Sequence, residues 1–134
     1  MVAKKIAKYS TIGCNPFSGF KCKGSNVEIS NKEGITHIET TDPFKALEHQ
    51  ISKFSPVHVN GLPDFFGGAV GYTSYDSVRY VETLPDSTID DLNLPDMYFM
   101  FYDETIVFDH LNKTIKVVCA AHIDERDIQD VYED

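Results

Sequence analysis

Three glycines within five residues, Gly67, Gly68 and Gly71, run into a charged stretch in which Asp76, Arg79 and Glu82 fall three residues apart. Glycines ahead of a helix start raise the question of a phosphate cradle, in which backbone N–H groups close on an anion. The dinucleotide form of that loop requires G-x-G-x-x-G between a strand and a helix. The spacing here is GG-x-x-G, which excludes that chemistry. Glycines inside a strand weaken it, so three of them point to a close approach of backbone to a neighbouring element. Asp76 and Arg79 are spaced to pair on one helix face, with Glu82 a further step along.

Two other combinations invite chemistry. Asp109-His110 contains the residue types of a carboxylate–histidine dyad. Adjacent strand residues point to opposite faces, so the pair is poorly placed for general-base work, and a turn-capping aspartate beside an exposed histidine fits better. His37, His49, His58 and His122 lack any mutual spacing that suggests a metal. Cys14, Cys22 and Cys119 are odd in number and contain no C-x-x-C, so neither a disulfide framework nor tetrahedral zinc is expected. Each cysteine reads as a small buried or half-buried apolar residue. No pair of carboxylates stands in a context for acid–base catalysis, and no catalytic residue is assigned.

The elements that must carry these residues read as α+β, mostly antiparallel sheet with two helices and a helical tail. Apolar and polar positions alternate over Lys8 to Gly13 and Phe17 to Lys23, separated by the turn signal Asn15-Pro16. Val27 to Ser30 and Ile35 to Thr40 extend this into a predicted antiparallel meander. Asp42 and Pro43 suit the cap and first turn of a helix. Phe44, Leu47, Ile51 and Phe54 are expected on its apolar face. After the glycine-rich strand, a short helix is predicted over Asp76 to Thr83, then an exposed acidic loop over Asp86 to Pro95. Met97 to Tyr102, Glu104 to Asp109 and Thr114 to Ala120 are rich in aromatic and β-branched residues and read as strands. A weakly amphipathic helix is expected from Asp124 to Asp134, with Ile128, Val131 and Tyr132 as its apolar face.

The 134 residues fit a single domain, 1–134, with 42% hydrophobic and 25% charged residues. Up to Val81 nine Lys/Arg stand against seven Asp/Glu; from Glu82 onward three stand against fourteen, giving −9 overall. That acidic half disfavours nucleic acid and anionic membrane as partners. Met1 to Ser10 lacks the apolar core of a signal peptide, and no stretch reaches spanning length, so a cytoplasmic address is expected.

The segment from Phe66 to Pro85, FGGAVGYTSYDSVRYVETLP, resembles the N-terminal domain of the large subunit (component I) of anthranilate synthase. The family pattern GG-x-VGY-x-x-YD-x-VR-x-x-E-x-LP is met by Gly67, Gly68, Val70, Gly71, Tyr72, Tyr75, Asp76, Val78, Arg79, Glu82, Leu84 and Pro85. Lys8 to Pro16 is similar to RYS-x-IG-x-(D/N)P, Asp42 to Leu47 to DP-x-x-x-L, and Tyr102 to His110 to a strand ending in FDH. The four motifs are collinear and cover nearly the whole chain.

The resemblance implies the two-sheet fold of that subunit and a larger protein. The C-terminal part of the family, absent here, holds chorismate and magnesium; a glutamine amidotransferase subunit (component II) supplies ammonia; tryptophan acts as feedback inhibitor. This chain would then be inactive alone, with no cofactor of its own, and serve as a regulatory scaffold. Lys8, Tyr9 and Ser10 are the implied tryptophan-pocket residues, as a cation with neighbouring hydroxyls, or else ordinary edge-strand residues. Lys8 replaces the family's arginine and loses its planar fork. An L-L-E-S strand that the family places upstream is not in the sequence. Both departures imply weak or no tryptophan binding, and the lost neighbour implies self-association through the Lys8 to Gly13 edge. Asp76, Arg79 and Glu82 form either a structural ion pair or a contact to the catalytic half. The related aminodeoxychorismate synthase subunit shares the layout, and a free-standing amino-acid-binding module is the alternative of another class.

Overall fold

A computed structural model describes residues 8–85 and 87–123. The predicted helix of the tail, from Asp124 to Asp134, lies outside the described residues. Strands β1 (Tyr9–Cys14), β2 (Ser18–Lys23), β3 (Asn26–Asn31) and β4 (Gly34–Glu39) precede helix α1 (Pro43–Ser52). Then follow β5 (Gly68–Thr73), a 3-10 turn (Tyr75–Tyr80), β6 (Met97–Tyr102), β7 (Glu104–Asp109) and β8 (Thr114–Cys119). They form a three-stranded sheet, β1-β7-β8, and a five-stranded sheet, β4-β3-β2-β6-β5. The chain divides into two compact units, one from residues 8–16, 59–68 and 102–123, the other from 17–58 and 69–101.

The larger unit is built by local hairpins. Lys23 pairs with Asn26 across Gly24-Ser25, where Gly24 adopts φ +55, a region open to glycine at little cost. Asn31 closes the next hairpin by accepting the backbone N–H groups of Glu33 and Gly34 on Oδ1. β2, β3 and β4 are therefore the expected meander, but β1 does not belong to it. β1 pairs antiparallel with β7, Tyr9 opposite Asp109 and Cys14 opposite Glu104. Alternation tells which face of a strand is apolar, not which strand lies beside it. Asn15, at φ +47, and Pro16 end β1 before β2 begins.

Asp42 caps α1 as predicted, Oδ1 accepting the Lys45 N–H at 3.1 Å, with Pro43 in the first turn. The buried helix face is rotated from the predicted one. Pro43, Leu47 and Gln50 are buried, whereas Phe44 and Ile51 are 38% and 46% exposed. The helix stops at Ser52, so Phe54 reaches the core from beyond it, its ring 5.3 Å from Phe17. The core of this unit joins Phe20, Cys22, Val27, Leu47, Met97 and Phe101, with Phe17, Ile29, Phe54, Tyr80 and Phe99 packed around them.

The smaller unit is the β1-β7-β8 sheet with the 59–68 segment. Thr105 donates from Oγ1 to the Phe66 carbonyl, and the Lys116 ammonium to the Gly61 carbonyl. Val107 is fully buried. Ring atoms of Tyr102 lie where a Cβ at Gly13 would stand, 2.7 Å from Cδ1, so that glycine makes room for the aromatic ring.

Candidate functional site

Lys8 stands just before β1 and Tyr9 and Ser10 are its first two residues, opposite the end of β7 and its turn. The Lys8 carbonyl accepts the His110 N–H at 2.9 Å and so extends the pairing by one step. The Lys8 ammonium lies 4.6 Å from the Tyr9 ring centroid and 3.8 Å from Asp109 Oδ2. Contact with Tyr9, reinforced by the Asp109 charge, raises the Lys8 pKa above the ordinary lysine value. Ser10 shares a 2.8 Å hydrogen bond with His110 Nε2. Tyr9 and Asp109 share one face of the strand pair and Ser10 lies on the other, so the Lys8 ammonium, held by Tyr9 and Asp109, and the Ser10–His110 pair do not converge on one pocket.

Asp109 is the organiser of that end. Its Oδ1 accepts the N–H groups of Leu111 and Asn112, and Oδ2 accepts Asn112 Nδ2 at 2.8 Å. It is the turn-capping aspartate the sequence suggests, itself buried, and the His110 beside it is exposed as expected. The Asn112 backbone bond, then the Asn112 side chain, the Leu111 N–H and the Lys8 charge, hold its carboxyl below the usual value against the opposing effect of burial. A depressed native value adds stability that is complete above the unfolded carboxylate pKa, about 4, and is lost as pH falls through the native value. The melting temperature of the chain is expected to fall on acidification in that window. In Asp109→Ala it should start lower at neutral pH and fall less steeply; parallel curves for the two proteins would remove this role.

The glycine motif performs the close approach predicted for it. A Cβ on Gly71 would overlap the Tyr98 carbonyl oxygen and stand 2.6 Å from Phe99 Cα. A Cβ on Gly67 would come within 3.2 Å of the Tyr102 carbonyl oxygen, and Gly68 adopts φ +111. Past this strand, Asp76 and Arg79 pair as expected, Arg79 Nε donating to Asp76 Oδ1 at 3.1 Å. The segment is a 3-10 turn and not the predicted α-helix to Thr83. Ser74 supplies no side-chain cap and the element is only six residues long, the regime in which the tighter helix is used. Glu82 consequently lies past the helical residues. Arg79 also donates from Nη1 to the carbonyls of Leu84 and Pro85, fastening the strand's exit.

Two groupings escaped the sequence. The Ser10–His110 pair joins residues 100 apart and becomes visible only through the β1–β7 register. The second is a polar knot in the larger unit. Asp96 Oδ2 accepts the Tyr80 hydroxyl at 2.6 Å and the Gly24 N–H, while Cys22 Sγ lies 3.5 Å from the same hydroxyl. Burial first, then the bonds to Asp96 and Cys22, drive the Tyr80 pKa far above its ordinary value, so this phenol stays protonated. Burial likewise raises the Cys22 thiol. Cys22 is buried and Cys14 half-buried as expected, but Cys119 is exposed. Among the described residues no three His, Cys, Asp or Glu gather to hold a metal, and no helix is long and apolar enough to cross a membrane.

A two-sheet, mostly antiparallel fold carrying these motifs in this order defines the class. The sequence profile described as "chorismate binding enzyme" matches residues 7–134, and the chain belongs to that family. Within it the similarity runs to anthranilate synthase. Component 1 from Acetivibrio thermocellus is 37% identical over 120 residues, which are 90% of this chain and 24% of that protein. The chloroplastic alpha subunit 1 of Oryza sativa subsp. indica is 36% identical, over 96% of this chain and 24% of its own length. The crystal structure of anthranilate synthase component I from Streptococcus pneumoniae TIGR4 superposes with a TM-score of 0.67 at 28% identity, over 96% of this chain and 28% of that one. The chain thus spans about a quarter of the length of the curated relatives it matches. The resemblance carried by the four collinear motifs holds, as does the α+β fold.

Proposed function

We propose that this chain serves as the N-terminal regulatory and scaffolding part of an anthranilate synthase component I, which makes anthranilate and pyruvate from chorismate with ammonia drawn from glutamine. The observation that carries this reading is the coverage: the match takes in 90% of this chain at 37% identity but only 24% of the relative. In this role the chain performs no chemistry itself. The remainder of component I would bring chorismate and magnesium, and component II the ammonia. Lys8, Tyr9 and Ser10 are the residues proposed to face tryptophan, the feedback effector, and Lys8 gives this end of the sheet a positive charge for its carboxylate.

The chain alone, supplied with chorismate, ammonia and magnesium, is expected to form no anthranilate, read by the product's fluorescence. Steady production by the purified 134 residues would overturn the proposal. Calorimetry with tryptophan separates it from a free-standing amino-acid-binding module: weak or absent heat is expected, since Lys8 lacks the bidentate grip of arginine, whereas tight saturable binding would favour the module.

A further inference from the structure

Asn60 and Gly61 are the central pair of a turn in which the Leu62 N–H donates to the Val59 carbonyl at 3.2 Å. Gly61 stands at φ +91, and turns with positive φ at their third residue favour glycine there. Both residues are exposed, and nothing lies within 4 Å of the place a Cβ on Gly61 would take. Among the described residues no hydrogen bond holds the Asn60 side-chain amide or the Gly61 N–H. The other asparagines are placed differently. Asn15 precedes Pro16, which has no N–H, and Asn26 and Asn93 precede the branched Val27 and Leu94. The side chains of Asn31 and Asn112 are bonded within their own turns.

We propose that Asn60-Gly61 is a spontaneous modification site, where the chain releases ammonia and gains a negative charge with water as the only co-reactant. The Gly61 nitrogen, having given its proton to solvent, attacks Asn60 Cγ. The bond from Cγ to the side-chain nitrogen breaks, and that nitrogen takes a proton and leaves as ammonia. Water then opens the five-membered succinimide at one of its two carbonyls, leaving aspartate or isoaspartate. A side chain on residue 61 would crowd the attacking nitrogen, and glycine has none. The Lys116 ammonium donates to the Gly61 carbonyl, so a cation stands beside the residue whose nitrogen must become negative. Opposite unit charges about 5 Å apart in water shift an equilibrium about fourfold, so Lys116 favours the reactive anion. The isoaspartate product adds one carbon to the backbone of the turn. The segment it enters is the one whose Phe66 carbonyl receives the Thr105 hydroxyl, so the product loosens that segment on its sheet.

The test incubates the full chain at mildly alkaline pH and follows it by peptide mass, with isoaspartate read by enzymatic methylation. A gain of about 1 Da at Asn60 is expected, well ahead of any other asparagine. Gly61→Ala should slow it at least about tenfold. That variant also strains the turn, so Asn60→Gln, which keeps the glycine but needs a six-membered ring, should slow the gain at residue 60 likewise. Lys116→Met should slow it about fourfold at low salt, with the gap closing at high salt. No gain at Asn60, a gain no faster than at Asn31 or Asn112, or an unchanged rate in Gly61→Ala overturns the proposal. A low-salt rate in Lys116→Met equal to that of the wild type overturns the part given to Lys116. The aged chain should melt below both the fresh chain and Asn60→Asp, which has the charge without the extra carbon; equal melting overturns the loosening.

Discussion

Replacing Gly71 by alanine is expected to cost about 3 kcal/mol or more, beyond the usual range for a methyl group forced into a packed site. The new Cβ would fall on the Tyr98 carbonyl oxygen and within 2.6 and 2.8 Å of Phe99 Cα and Tyr98 C, all backbone atoms. A flexible side chain could swing aside; a strand of the same sheet cannot move without breaking its own ladder. β6 is that strand, and it pairs with β2 from Ser18–Phe101 to Cys22–Met97, so a shift would reach the core. Gly24→Ala supplies the comparison. It stands at φ +55 with nothing within 4 Å, so it carries only left-handed strain of about 1–2 kcal/mol. Thermal melts should place Gly71→Ala well below both wild type and Gly24→Ala. A melting temperature for Gly71→Ala within about 2 °C of wild type, less than a 1 kcal/mol change produces, would contradict the close approach.

The second large effect belongs to Phe20. It is fully buried at the middle of β2, opposite Phe99 on β6 and Ile29 on β3, and joins Leu47 of α1 to Met97 and Phe101. Phe20→Ala removes the ring from the meeting point of helix and sheet. It is expected to cost about 3–5 kcal/mol, the lost transfer energy plus the cavity left behind. Against a typical domain stability of about 5–15 kcal/mol, that is a large fraction. Urea unfolding should show the midpoint falling steeply, and hydrogen exchange should show β2, β3 and β6 amides losing protection. An exposed counterpart, Ile89→Ala, should leave the midpoint unchanged. A small shift for Phe20→Ala would mean that the core collapses around the gap or lies elsewhere.

What the sequence made legible follows from the range of the forces involved. The Asp42 cap and the Asp109 turn are settled by neighbours within a few residues, and each appears where its residue types predicted it. The Asp76–Arg79 pair is local too and survived the change from α-helix to 3-10 turn, because i and i+3 stay adjacent in both. Pairing of β1 with β7 was not legible: nothing in Tyr9–Cys14 distinguishes β2, a few residues on, from β7, nearly a hundred away. The Ser10–His110 contact and the salt bridge of Lys8 with Asp109 depend on that pairing and were hidden with it. The helix face was misjudged for a different reason. Phe44 and Ile51 satisfy the helical period, yet the sheet receives Pro43, Leu47 and Gln50, a stripe shifted around the axis that tertiary packing selects. Gln50 is buried with its Oε1 bonded to Lys53 Nζ at 2.8 Å, a polar solution that periodicity alone does not anticipate.

The identity of the chain came through the same glycine-rich segment that carries no reaction. Gly71 meets the family pattern at a place where the strand beside it leaves no room for a side chain. Arg79 is matched and holds the Leu84 and Pro85 carbonyls. Those residues mark a shared scaffold, and the proposed role follows from what such a scaffold would support.

The most direct measurement is anthranilate fluorescence after mixing this chain with the part of the Acetivibrio thermocellus protein outside the matched region, in chorismate, ammonia and magnesium. Neither piece alone should give product, and the mixture should give it steadily. Product from this chain by itself, or none from a mixture that has formed a one-to-one complex, would contradict it.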